Sequence, residues 1–293
     1  MADFRTTNHK RAAFALRALQ FFYRLAGKLF PYTVGSLAFH QWLSPARFKT
    51  PAYEQTALGS AIIESLSLNG IDITVYLWSD KNSSHDKTLL FIHGWMGRGT
   101  QIVNHIEPLI AAGFRIISFD GPAHGRSGGR QTSGLEFTDV VFALNKKYGD
   151  FDAALTHSFG GMVLTYAMSL GLKIPRVVLF CPPKNFIGLL DNYQRALTFP
   201  DSVKNVLIRK LFASYGQILC HAVDTQKNAR KMSNKALIIH DRDDAETPWK
   251  VSEEIAQAWT DSRLVLTEGL GHRRILRDKT VIETTINFLS SEN

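Results

Sequence analysis

The feature that most constrains this chain is an alternation. From about residue 60 onward, short apolar runs rich in β-branched residues take turns with longer stretches of helical periodicity. The runs at 88–93, 114–119, 152–157, 177–181, 235–240 and 263–267 read as buried strands. The stretches at 101–112, 135–147, 160–170, 250–259 and 280–289 read as helices. Strands joined through helices require right-handed crossovers, so the sheet is expected to be mostly parallel. Ahead of them, 61–68 and 71–78 are joined by Asn69-Gly70, a strong hairpin signal because both residues tolerate positive φ. A polar loop is expected over 79–86.

One gap breaks the alternation. Residues 182–234 are too many for a connection, and 186–197 and 202–215 carry helical pattern. The expected organisation is therefore an α/β core over 58–182 and 234–293, a small helical cap over 183–233, and an N-terminal helical arm over 1–57.

Composition sets limits on function. Of 293 residues, 45% are hydrophobic and 20% charged, which suits a globular chain rather than a disordered one. No apolar run reaches the roughly 18 residues of a spanning helix. Cys181 and Cys220 are too few for a disulfide framework and lack metal-ligand spacing, so a reducing, cytoplasmic setting is expected. The net charge is +8, but residues 1–50 hold eight Lys or Arg (Arg5, Lys10, Arg11, Arg17, Arg24, Lys28, Arg47 and Lys49) against Asp3 alone. The basic excess belongs to the arm, not to a working face of the core, which argues against nucleic-acid binding.

The arm has its own pattern. Phe14, Leu16, Leu19, Phe22, Leu25 and Leu29 recur near the helical period, with Arg17, Arg24 and Lys28 between them. Pro31 ends or kinks this helix, and a second apolar stretch runs over 34–43. Two readings follow: an arm packed on the body, or a basic amphipathic helix over 10–30 lying on an anionic membrane surface. No clear cleavage site follows the apolar run, which disfavours a removable signal.

The chemistry lies at three loops. Thr156-His157-Ser158-Phe159-Gly160-Gly161 falls where a strand meets a helix. A serine there sits on a sharp turn, its hydroxyl projecting above the sheet beside the free N–H groups of the helix start. The bland alternative for Ser158 is an ordinary helix N-cap. A hydroxyl needs a base to become a nucleophile, and the base needs an orienting carboxylate. His272 follows the last strand in Glu268-Gly269-Leu270-Gly271-His272, where it could reach over the sheet edge; otherwise it is a surface-loop histidine. The preceding strand ends in a loop carrying Asp241, Asp243 and Asp244, which could equally be a solvated turn. Arg273 and Arg274 add two cations beside His272, for an anionic substrate group or for solvent.

These motifs together resemble the α/β-hydrolase superfamily over roughly 58–290. His93-Gly94-Trp95-Met96-Gly97 resembles the family's loop after its third strand. Asp120 through Ser127 resembles the turn after the fourth, with Ala123 in the place of a glycine. The Ser158 segment resembles the Gly-x-Ser-x-Gly elbow, with Thr156 departing from it. The 241–248 loop resembles the family's acid loop, with Asp241 in a glycine place; that register selects Asp244 over Asp243 as the acid.

The resemblance implies a Ser158–Asp244–His272 triad, in the family's chain order. It implies an oxyanion hole from the backbone N–H groups of Trp95 and Phe159, and structural roles for His93 and His124. His157 is expected to point to the other side of the elbow. The implied activity is hydrolysis of a carboxylic ester or thioester of modest size through an acyl-enzyme, with no cofactor or metal. The apolar residues of the cap favour an apolar acyl group unless they form the cap's own core. Two alternatives remain: a binding protein that kept the fold, and another triad reaction such as C–C hydrolysis or aminopeptidase-like cleavage. The sequence gives no oligomeric state.

Overall fold

A computed structural model of the chain describes residues 2–80, 87–216, 218 and 223–291, with side chains described from residue 14 on. The expected loop over 79–86 therefore lies outside the described residues from 81 on, as does Cys220.

The chain divides into two compact units. The larger comprises residues 44–185 and 221–293. Its sheet has eight strands: β1 (Ile62–Leu68), β2 (Ile71–Trp78), β3 (Lys87–Ile92), β4 (Phe114–Phe119), β5 (Ala153–His157), β6 (Arg176–Phe180), β7 (Lys235–Asp241) and β8 (Ser262–Thr267). Their spatial order is β1-β2-β4-β3-β5-β6-β7-β8. β1 and β2 form the expected hairpin, with Leu68 paired to Ile71 and with Asn69 and Gly70 at φ 52° and 77°. β2 is antiparallel to β4. From β4 to β8 every pairing is parallel.

The physical reason lies in burial. β3, β5, β6 and β7 are apolar on both faces and almost wholly buried, as a sheet covered by helices on both sides requires. β1 carries alternating polar residues and stays half exposed at the edge. The main core gathers Leu89, Phe91, Leu155, Phe180, Leu237 and Ile239 with helix residues such as Ile106, Leu109 and Val281.

Register makes the sheet a platform. Ile92 pairs with Thr156, His157 with Phe180, Phe180 with Ile239, and Asp241 with Thr267. The C-terminal ends of β3, β5, β7 and β8 thus finish on one edge, where loops from a parallel sheet converge.

The core begins earlier than residue 58. The division falls after Leu43, and Glu54 is fully buried. Its carboxylate accepts from Arg98 Nε at 2.6 Å, Arg98 Nη2 at 2.9 Å and Thr100 Oγ1 at 2.7 Å. A buried carboxylate held by such a fork pins residues 51–55 to the core. Likewise residues after 220 rejoin the core: Thr225 Oγ1 donates to Pro183 O at 2.8 Å.

The smaller unit comprises residues 1–43 and 186–220. Its helices are α1 (Ala2–Leu29), α2 (Pro31–Leu43), α7 (Phe186–Leu197) and α8 (Asp201–Tyr215), the last two numbered after the core helices α3 (Gln55–Ser60), α4 (Val103–Ala111), α5 (Gly134–Tyr148) and α6 (Phe159–Ser169). Pro31 starts α2 rather than merely ending α1, a position where its missing N–H costs nothing. Gly35 permits the crossing of α2 on α8: a Cβ there would stand 2.5 Å from Val206. Tyr23, fully buried, donates its hydroxyl to Gln41 Oε1 at 2.5 Å. The arm and the insertion, read separately from the sequence, belong to one unit.

Candidate active site

Ser158 ends β5 and precedes α6. Its backbone stands at φ 51° and ψ −121°, a left-handed conformation that costs a non-glycine residue about 1–3 kcal/mol. The turn is held by Ser158 N donating to Phe180 O at 2.8 Å and Gly161 N donating to Ser158 O at 2.9 Å. Gly160 is obligatory, since a Cβ there would lie 2.2 Å from the Ile92 carbonyl oxygen. Thr156 stands, fully buried, in the place of a glycine. Its hydroxyl lies 3.4 Å from Val178 O, and a Cβ on Gly161 would stand in ordinary contact with it at 3.4 Å. The Ser158 side chain makes no capping bond to α6, so its hydroxyl is not committed to the helix end.

Asp241 at the end of β7, and Asp243 and Asp244 after it, all tie that strand to the loop carrying His272. Asp244 Oδ2 lies 2.6 Å from His272 Nδ1. Asp243 Oδ2 accepts from Gly269 N at 2.8 Å. Asp241 accepts from Leu270 N at 3.0 Å, Gly271 N at 2.8 Å and Thr267 Oγ1 at 2.7 Å. The acidity of this segment is therefore a set of tethers, not a solvated turn. Of the three, Asp244 is the one on the imidazole.

Asp244 is itself fixed from behind. Its Oδ1 accepts from Glu246 N and Thr247 N, both at 2.8 Å. His240 Nε2 donates to Thr247 O at 3.0 Å and reaches Asp244 Oδ2 at 3.1 Å, while its Nδ1 accepts from Ser252 Oγ at 2.6 Å. Burial pulls the Asp244 carboxyl up, but the bonds from His240 and His272, the charge of His272 and the Thr247 N–H outweigh it and hold the group well below the usual carboxylate range. Burial likewise opposes ionisation of Asp241, and its Thr267 and backbone donors reverse that. Cys181, His240 and Asp244 present ligand-type atoms within 4.8 Å of one another, the one such group among the described residues. The nitrogens of His240 are already engaged, so this cluster reads as the support of the acid. The role of His240 was not legible from sequence; its spacing of four before Asp244 was the only signal.

The other histidines are structural struts. His93 accepts from Gly121 N through Nε2 at 2.9 Å and donates from Nδ1 to Gly94 O at 2.7 Å. His124 accepts from Met96 N at 3.0 Å and donates from Nδ1 to Pro122 O at 2.9 Å. Together they lock the 93–97 loop to the turn after β4. Within that turn Ala123 adopts φ 63°, the conformation for which glycine is suited. His157 does not simply turn away from the site: its Nε2 donates to His272 O at 2.7 Å, and the two rings lie 4.8 Å apart. It ties the Ser158 turn to the loop carrying His272. Burial first, and then neighbouring positive charge, push the imidazoles of His124 and His157 down to about 3; burial takes His93 and His105 to about 4. All four are neutral near neutral pH; His105, packed beside the Phe180 ring, makes no hydrogen bond through either ring nitrogen.

The remaining predicted residues fall beside this frame. The Trp95 and Phe159 rings meet edge to face at 5.3 Å, bringing the 93–97 loop against the start of α6. Arg273 pairs with Glu246 at 3.1 Å, and Arg274 Nη2 donates to Gly269 O at 2.7 Å, so each has a protein partner. A cavity of about 260 Å³ lies against Met96, His157 and Arg273, with Lys49, Arg98 and Arg277 also on its wall. The cap's apolar side chains form the core of their own unit: Leu190 and Leu211 are fully buried, and Phe199 nearly so. They do not argue for an apolar acyl group.

Comparison with known proteins agrees with this frame. The family model described as the alpha/beta hydrolase family matches residues 89–284. The candidate carbamate hydrolase RutD of Pseudomonas savastanoi pv. phaseolicola is 28% identical over 120 residues, 39% of this chain and 44% of that protein. The chain thus aligns with under half of that relative's length. Among solved structures, the esterase Pf2001 of Pyrococcus furiosus superposes with a TM-score of 0.59 at 18% identity, over 84% of this chain and 94% of the other. The thioesterase domain from the curacin biosynthetic pathway superposes with a TM-score of 0.58 at 17% identity, over 79% and 99%.

Proposed function

Because the chain belongs to the alpha/beta hydrolase family, we propose that it hydrolyses a carboxylic ester or thioester through an acyl-enzyme on Ser158. The observation that carries the proposal is the 2.6 Å contact between Asp244 and His272, two residues that share a site only through the register of β7 and β8.

In the first step His272 Nε2 takes the Ser158 hydroxyl proton while Oγ attacks the substrate carbonyl carbon. The backbone N–H groups of Trp95 and Phe159 hold the resulting oxyanion. The intermediate collapses, the C–O or C–S bond breaks, and His272 returns the proton to the departing alcohol or thiol. Water then attacks the acyl carbon and gives a proton to His272, which passes it to Ser158 Oγ as the Oγ–acyl bond breaks and the acid leaves. Asp244 stays ionised throughout. It accepts from Nδ1–H, fixing the tautomer that leaves Nε2 free, and it stabilises the imidazolium.

The cations around the cavity beside His157 favour substrates with an anionic group. Arg98 and Arg273 are offset by Glu54 and Glu246, so this preference rests on Lys49 and on Arg277, which stacks on the Tyr53 ring at 4.3 Å. Carbamate cleavage, which uses the same acyl chemistry, is a second reading supported by the partial likeness to RutD. Turnover of a panel of p-nitrophenyl esters, thioesters and carbamates, neutral and carboxylate-bearing, tests both readings. Turnover of at least one acyl class, lost in His272→Ala, is the expected result. No turnover of any class, with intact folding, would leave a binding protein as the better account.

A further inference from the structure

The first helix of the smaller unit carries an apolar face that the protein does not cover. At about 100° per residue, Tyr23 and Gly27 of α1 point to one side, where both are buried. Phe14, Phe21, Phe22, Leu25 and Leu29 fall in a sector about 100° wide on the opposite side. These five are exposed: Phe14 by 75%, Phe21 by 67% and Leu29 by 65%. Arg17, Arg24 and Lys28 are also exposed and form a single row along one border of that sector.

Monomeric surfaces scatter single apolar residues; a continuous row of aromatic and leucine side chains marks a contact face. Its charge selects the occupant. Residues 1–50 hold eight Lys or Arg against one acid, so a second copy of this face would bring like charges together. A neutral apolar partner would leave the cationic row unused. No described helix is long and apolar enough to cross a membrane, and the cations are spread along the length of α1. An apolar stripe bordered by cations, on a helix held from behind by its own domain, is the arrangement that lies in a bilayer interface. We infer that α1 docks this protein on an anionic lipid surface, with Phe14, Phe21, Leu25 and Leu29 in the acyl boundary and Arg17, Arg24 and Lys28 at the head groups.

The test is sedimentation of the full-length protein with phosphatidylcholine vesicles containing or lacking phosphatidylserine. Partition onto the phosphatidylserine vesicles, weakened by added salt, is expected. Arg17→Glu with Arg24→Glu and Lys28→Glu should lower the partition coefficient at least about tenfold. Phe21→Ser with Leu25→Ser should lower it similarly, with circular dichroism unchanged because all five side chains are exposed. Equal partition onto both vesicle types, or binding unaffected by either variant, overturns the inference. So does absence of vesicle binding, together with a dimer in light scattering that Phe21→Ser with Leu25→Ser dissociates; the face would then join two copies.

Discussion

The two units close their surfaces in opposite ways. At the C-terminal edge of the sheet, most polar groups of the loops have an internal partner: three aspartates at and after the end of β7, the neutral imidazoles of His93, His124 and His157, and a strained serine turn. In the helical unit, α1 buries Tyr23 on one side and leaves Phe14 and Phe21 in solvent on the other. The first region is finished by its own hydrogen bonds. The second buries one apolar side of α1 and leaves another apolar side open. Preorganised polar networks suit chemistry, where reorganisation would raise the barrier. Open apolar faces suit contact.

If the tether network is what organises the base, its members should not be equivalent. Asp244→Asn keeps the shape but cannot enforce the Nδ1–H tautomer, and kcat should fall by about 10⁴ with little change in stability. Asp243→Asn touches only Gly269 N, and kcat should stay within about tenfold of wild type. Steady-state kinetics of the two variants, measured on the same ester, separates them; equal losses would mean that the loop matters and the Asp244–His272 bond does not.

The buried imidazoles should make the core unit sensitive to acid. His93, His105, His124 and His157 have folded pKa values of about 3 to 4, against about 6.5 in the unfolded chain. Between these limits the unfolded state binds protons that the folded state refuses. Stability is therefore full above about pH 6.5 and declines as pH falls, levelling only below the folded values. At pH 5.5 the loss is on the order of 1 kcal/mol per histidine. Urea unfolding followed from pH 7.5 to 5 should show that decline; a flat profile would place these imidazoles in contact with solvent.

Stability effects of single substitutions test the extent of each unit. Glu54→Ala leaves Arg98 buried without its partner and should cost about 3–5 kcal/mol, since residues 44–57 belong to the core. A change under 1 kcal/mol in urea unfolding would return that segment to the arm. Within α1, Tyr23→Ala should destabilise by about 3 kcal/mol, and Phe21→Ser by no more than about 0.5 kcal/mol. Thermal melts of the two variants would break the comparison if the order reversed.

Much of the core was legible because its signals are local. The strands over 114–119 and 235–240, the Asn69-Gly70 turn and the Ser158 junction each announce themselves within a few residues. What stayed hidden depends on partners far along the chain. Glu54 reads as a surface acid until Arg98, 44 residues on, is folded over it. The segment at Thr225–Ala229 is too short to show a period, so it was assigned to the cap. His240 looked like the end of a strand, and His157 like a side chain turned away, because neither pattern reveals which loop will be its neighbour. In α1 the periodicity showed apolar residues on the helix but could not say which side the protein itself would cover.

The central claim is that Ser158 is a nucleophile activated by the pair behind it. Its most direct test is the rate of covalent labelling by a fluorophosphonate probe, with the modified residue located by mass spectrometry. The account predicts a single label on Ser158, absent in Ser158→Ala and formed at least about 10³-fold more slowly in Asp244→Asn. Labelling that persists in Ser158→Ala, or a wild-type protein that never labels while remaining folded, would contradict it.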